Sequence, residues 1–297
     1  MEPDTGLTAE RPLATAPRQT TVAGGSSEWR VVIASVVPAV VVTAALFAWM
    51  LHRSSAGTNT AGLQMTAMDL QHRVAYWWPF LMGETLGIAA LIWSYLSVLL
   101  GLMFSARSPR LGLTRRRMSD LHRYVSLTGL ALIAGHVFFV AVGSMNGAMT
   151  TRTVDWKGAL LPFQESWNGQ FYDVGVFAFY LAILLGPTYY LRRWIGERTW
   201  RTVHRASLAV YVLSVWHTFG FDDFDFHGSY RLTLWIAQIP LAALMLWRLW
   251  SPTGSARSLR RTALVRVAAG AATVVVLVWV VMTVASGRIG GSPSPFH

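Results

Sequence analysis

From residue 30 onward the chain alternates between long apolar runs and short polar stretches that carry most of its arginines. A helix needs about 20 apolar residues to cross a bilayer. Seven runs satisfy that length, at roughly 30–51, 75–105, 119–144, 171–192, 199–221, 230–250 and 263–286. Lipid offers no partner to bare N–H and C=O groups, so these runs have to be helices. The pattern therefore predicts an all-α integral membrane protein, a bundle of about seven transmembrane helices over residues 30–286. The second run has length to spare and is expected to tilt or project beyond the membrane. Residues 1–29 are rich in Thr, Ala, Gly, Ser and Pro without periodicity, and are expected to form a disordered tail. Residues 287–297 form a second short tail. A cleaved signal peptide is not expected, because the polar tail precedes the first apolar run.

Composition agrees with this pattern: 53% of residues are hydrophobic and 13% charged, where soluble domains carry about 25% charged residues. The net charge of +11 does not point to nucleic acid, because the arginines lie in alternate loops. One set holds Arg107, Arg110, Arg115, Arg116, Arg117, then Arg192, Arg193, Arg198, then Arg257, Arg260 and Arg261. The opposite loops hold Arg53, Arg73, Arg152 and Lys157. The positive-inside rule then places the N-terminus in the cytoplasm and the C-terminal tail outside, in a multi-pass cell-membrane protein. The chain has no cysteine. This excludes disulfides, thiolate-held iron–sulfur clusters and covalent c-type haem, and leaves histidine as the strongest ligand for a haem or transition metal.

The third run carries His122 and His136, fourteen residues apart, or about 21 Å along a helix. The fifth carries His204 and His217, thirteen apart, or about 19.5 Å. Both runs cross from inside to outside, so His122 is expected to face His204 near the cytoplasmic side and His136 to face His217 near the outer side. In a membrane a buried polar side chain is costly and usually has a functional partner, although a single histidine in a soluble core is readily explained as packing. Four at matched depths are not, and they predict two stacked haem sites between helices three and five. On ideal helices His122 and His136 lie about 40° apart, but His204 and His217 lie about 140° apart. Helix five must unwind locally, carry an inserted turn distortion, or have cofactors to either side of it. Gly129, Gly135, Ala206, Ser207 and Ala209 are small enough to admit a flat macrocycle, or simply to let helices pack closely.

With these spacings, the segment Asp120-Leu-His122-Arg, the run Leu191-Arg-Arg-Trp-Ile-Gly-Glu-Arg-Thr-Trp200-Arg-Thr-Val-His204-Arg, and Trp216-His217, the chain resembles the ferric reductase-like transmembrane domain of ferric reductases and NADPH oxidases. The resemblance covers roughly residues 80–250 and leaves the first and seventh runs unaccounted for. It implies two non-covalent haem b groups, each held by two histidines, with electrons passing from the cytoplasmic side outward. Larger members add a flavin- and nicotinamide-binding module after the last helix. Here no Gly-rich dinucleotide fingerprint is found, and the chain looks closer to the short bacterial members. The expected donor is a separate cytoplasmic reductase, free reduced FAD or FMN, or a quinol.

Further candidates flank this ladder. Arg123, Arg201 and Arg205 border the inner histidines and suit bidentate binding of haem carboxylates, or serve only as positive-inside charges. Glu84, a membrane carboxylate in the second run, is a proton-relay or ligand-orienting candidate, or a protonated packing residue. Asp222, Asp223, Asp225 and His227 form an outer loop able to dock ferric or cupric ion, although a solvated acidic loop is the plainer explanation. The expected function is a di-haem electron carrier of oxidoreductase type, serving a ferric, cupric, oxygen or protein acceptor at the outer face. The alternatives are a quinol-linked cytochrome b subunit of a larger complex and a haem-free transporter or structural bundle.

Overall fold

The computed structural model describes residues 25–55, 67–105, 114–144, 153–164, 169–219, 229–250 and 267. Among these residues the regular structure is entirely helical. In chain order the helices are α1 (Gly25–Ser55), α2 (Ala67–Ser105), α3 (Arg115–Gly143), α4 (Trp156–Leu160), α5 (Gly169–Leu185), α6 (Thr188–Ile195), α7 (Glu197–Arg205), α8 (Ser207–Phe219) and α9 (Ser229–Trp250). The first begins inside the stretch expected to be tail.

Three stretches are long and apolar enough to span a bilayer: Trp29–His52, Trp78–Phe104 and Arg116–Gly143. The α5–α6 pair makes a fourth if counted as one span, bent by 51°. That bend falls at Gly186-Pro187, where proline supplies no N–H to the helical ladder. The apolar part of α9, Thr233–Arg248, is shorter. The run at 263–286 lies outside the described residues apart from Val267. The protein is thus an all-helical, multi-pass membrane protein with three or four spans of full length among the described residues.

The fifth apolar run is two helices rather than one. At Ala206 the backbone N–H reaches the Val203 carbonyl at 2.9 Å, and the Ala209 N–H reaches the Ala206 carbonyl at 2.9 Å. Both bonds run three residues back, which is the tighter 3₁₀ pattern. The Ser207 hydroxyl donates to the His204 carbonyl at 2.6 Å, an alternative to the ladder that serine favours.

Elsewhere local chemistry agrees with the pattern. The Thr114 hydroxyl caps α3 by accepting from the Arg117 N–H at 3.4 Å. The α2 and α3 helices form one closely packed pair, α5 and α8 another. Helix α1 lies across the first pair, with the Ser35 and Thr128 hydroxyls 3.0 Å apart and Ala39, Trp93 and Val125 buried together. Apolar residues join the two pairs: Leu130 and Ile133 of α3 pack on Ala182, Leu185 and Val210 of α5 and α8. Leu102 of α2 packs with Tyr211, Val215 and Phe219 of α8 and Leu234 and Leu241 of α9. Ile33, Val36, Val37, Val40 and Val41 of α1 face outward, as a lipid-facing helix requires.

Candidate functional site

Helices α3, α7 and α8 bring all four histidines into two pairs. The ring centres of His122 and His204 lie 6.0 Å apart, with the planes at 83°. Those of His136 and His217 lie 6.2 Å apart at 73°. The pairing follows from the break at Ala206. By turning α7 relative to α8, it removes the angular mismatch that a continuous helix would impose. Of the remedies left open by the sequence, a local turn distortion is the one found, and it is a tightening to 3₁₀ rather than an unwinding.

Three of the rings are fixed by backbone carbonyls on neighbouring helices. His122 Nδ1 lies 3.0 Å from the Ser97 carbonyl oxygen, His136 Nδ1 2.7 Å from that of Gly83, and His217 Nδ1 2.8 Å from that of Phe171. A carbonyl can only accept, so Nδ1 carries the proton and Nε2 is left with its lone pair. Each of these imidazoles also rests on a glycine. A Cβ added to Gly87 would lie 2.9 Å from His136 Nδ1, and one at Gly101 3.3 Å from His122 Cε1. At Gly175 it would overlap the His217 ring. The Ser97 hydroxyl meets that of Ser126 at 2.6 Å, and Ser126 donates to the His122 carbonyl at 2.7 Å, tying α2 to α3 beside this ligand.

His204 is held differently. Its ring stacks on Trp200, with centres 5.1 Å apart and planes at 18°. Trp200 in turn meets Tyr189 edge-on at 6.1 Å. The Arg123 guanidinium carbon lies 5.3, 5.4 and 5.6 Å from the ring centres of Tyr124, Tyr189 and Tyr190. Within this cluster the Arg123 Nε and Trp200 Nε1 groups are buried without a hydrogen-bond partner among the described residues. Unpaired buried donors of this kind are costly.

The opposite end, beside His136 and His217, is covered by residues 153–164. The Thr153 and Asp155 N–H groups bond the Ser144 and Ala141 carbonyls at 2.9 and 3.0 Å. Asp155 caps α4 through the Gly158 N–H at 2.8 Å. Buried Asp173, two residues beyond Phe171, accepts from the Phe163 N–H at 2.6 Å. Neither Asp173 nor the three glycines facing histidines stands out in the sequence, since the contacts of all four are with other segments.

The other expected residues are distributed as follows. Arg201 is exposed and lies 3.7 Å from Glu197 one turn earlier, and Arg205 is also exposed. Glu84 is partly buried on α2 beside Gly83, whose carbonyl holds His136. Asp222, Asp223, Asp225 and His227 lie outside the described residues. Gly129 and Gly135 do not touch a histidine: they face Trp93 and Leu86, and so serve helix packing.

Residues 86–215 match the family model of the ferric reductase like transmembrane component. Over this stretch the chain is similar to the ferric reductase-like family. The matched stretch includes His122, His136 and His204, and His217 lies just beyond it. Searches of curated proteins and of solved structures returned no match.

Proposed function

We propose that the protein is a di-haem b-type electron carrier, taking electrons from a cytoplasmic-side donor and delivering them to an acceptor at the outer face. The observation that carries this reading is the placement of four histidines as two opposed pairs with ring centres 6.0 and 6.2 Å apart. Two metal–imidazole bonds of about 2.0–2.1 Å in line, plus about 1 Å from each nitrogen to its ring centre, span about 6 Å. Among the described residues no group of three or more His, Asp or Glu could hold a bare metal ion. A haem needs only two protein ligands, because the macrocycle supplies the rest.

The surrounding residues suit the same group. Nδ1–H bonds from His122, His136 and His217 orient the rings, raise their basicity and keep Nε2 free for iron. Arg123 Nε and Trp200 Nε1, otherwise unpartnered among the described residues, are donors for the carboxylates of the inner haem. Arg201 and Arg205 are more exposed and add positive charge to that side. Two haems so held supply reversible one-electron chemistry. The chain's own part is to fix the rings, balance the carboxylate charge and keep water from the apolar seam. The donor is a separate reductase, free reduced flavin or quinol; the acceptor is ferric or cupric ion, oxygen or a partner protein, with Asp222, Asp223, Asp225 and His227 as a docking loop and Glu84 as a proton-relay candidate.

Purified protein should contain two haems b per chain, with a dithionite-reduced b-type spectrum. The near-perpendicular ring planes predict a strongly anisotropic low-spin ferric signal in electron paramagnetic resonance. Protein that carries no haem after expression with added haem precursor would overturn the reading and favour a transporter or structural bundle.

A further inference from the structure

The three carbonyl-held histidines share one local arrangement. His136 bonds the carbonyl of Gly83 and rests on Gly87. His122 bonds the carbonyl of Ser97 and rests on Gly101. His217 bonds the carbonyl of Phe171 and rests on Gly175. In every case the glycine lies four residues after the carbonyl it accompanies.

The spacing has a direct helical cause. The carbonyl of residue i already accepts from the N–H of residue i+4. A second donor must therefore approach that oxygen from the side, across the surface beside residue i+4. Cα–Cβ bonds in a helix lean toward the N-terminus, so the side chain of residue i+4 covers the turn that exposes this oxygen. Glycine at i+4 leaves the carbonyl open to an imidazole from another helix.

We infer that Gly87, Gly101 and Gly175 are positioning residues, each uncovering one backbone carbonyl so that a ligand histidine can donate to it from Nδ1. This deepens the di-haem reading and rests on it. The glycines touch no iron; they act through the ring. Two of the three, Gly87 and Gly175, serve the His136–His217 pair, and Gly101 serves His122 alone. His204 lies outside the scheme, because its ring is held by Trp200 instead.

Weakening the Nδ1–H bond makes the imidazole a poorer donor to ferric iron, so the midpoint potential of that haem should rise. The expected order is Gly175→Ala, then Gly87→Ala, then Gly101→Ala, following how closely each added Cβ would meet its ring. For Gly175→Ala we expect about a tenfold shift in the redox equilibrium, which is 59 mV for one electron. The control is Gly143→Ala, whose Cβ would lie 2.9 Å from the Phe80 nitrogen, a close contact with backbone and not with a histidine.

Haem content, ferric spin-resonance signals and redox titrations of full-length protein decide the matter. Gly87→Ala and Gly175→Ala should alter or remove the same haem and leave the other unchanged, which also reports that the chain has folded. Gly101→Ala should alter the other haem. Nδ-methylhistidine at position 136 cannot donate from Nδ1 but keeps Nε2 as a ligand. It should raise the same potential as Gly87→Ala, and it decides the matter for any alanine variant that does not accumulate. Unchanged signals throughout, or changes no different from those of Gly143→Ala, overturn this inference while leaving the di-haem reading intact. A wild-type chain without haem overturns both.

Discussion

His204 is the ligand candidate that the backbone does not hold. The other three rings lean on carbonyls, whereas His204 lies flat against Trp200 and next to the tyrosine-lined Arg123. The two ends of the ladder therefore differ chemically, and the difference resides in side chains that can be changed singly. Arg123→Gln removes a cation beside the His122–His204 pair. A nearby cation favours the electron-loaded state, so this haem should become harder to reduce. We expect its midpoint potential to fall by about 30–60 mV, where 59 mV is tenfold for one electron, with the second haem unmoved in the same titration. Trp200→Phe keeps an aromatic stack but loses the N–H, and should give a smaller fall. The histidines themselves were legible from spacing alone, because depth in a membrane is read directly from residue number. Their glycine partners were not, because inter-helix register is absent from a linear sequence. Gly129 and Gly135 drew attention by lying near histidines in the chain, yet they face Trp93 and Leu86.

The decisive element is the break at Ala206. By length the 23-residue run reads as one helix, although it passes at the break from the charged α7 to the apolar α8. What the sequence did contain was a contradiction: thirteen residues on a straight helix cannot aim both His204 and His217 at one seam. The 3₁₀ turn and the Ser207 hydroxyl resolve it. An alanine inserted between Ala206 and Ser207 should turn His204 by about 100° relative to α8. Since α8 is fixed against α5, α7 is the part that rotates. The expected outcome is loss of the haem at His122, with the His136–His217 haem retained in the reduced spectrum. The bend at Pro187 was easier to foresee, because proline carries its effect in its own covalent structure.

Across the whole molecule, the loop arginines in the sequence set an expected direction for the histidine pairs. By the positive-inside rule we propose that the His122 and His204 end faces the cytoplasm. A membrane-impermeant reductant should therefore reduce the haem at His122 and His204 first in inverted membrane vesicles, and the haem at His136 and His217 first in right-side-out vesicles. The reverse order in stopped-flow spectra would reverse the assigned direction. Membrane class, helical character and three or four of the seven expected spans were accessible from apolar run length, since lipid leaves the backbone so few choices. The cover over the His136–His217 end was not, because its bonds join Asp173 to Phe163 and Asp155 to Ala141 through turns without periodicity.

The division of the bundle into an α2–α3 pair and an α5–α8 pair bears on how the protein is made. Each pair is closely packed within itself and more lightly joined to the other, and both histidine pairs straddle the join. A ligand that binds only the assembled form stabilises it by mass action. On this reading a ribosome finishes two hairpins, and cofactor delivery fuses them into one body. If the di-haem proposal holds, chains made while haem is scarce would keep the seam open to membrane proteases, so the amount of this protein would follow haem supply.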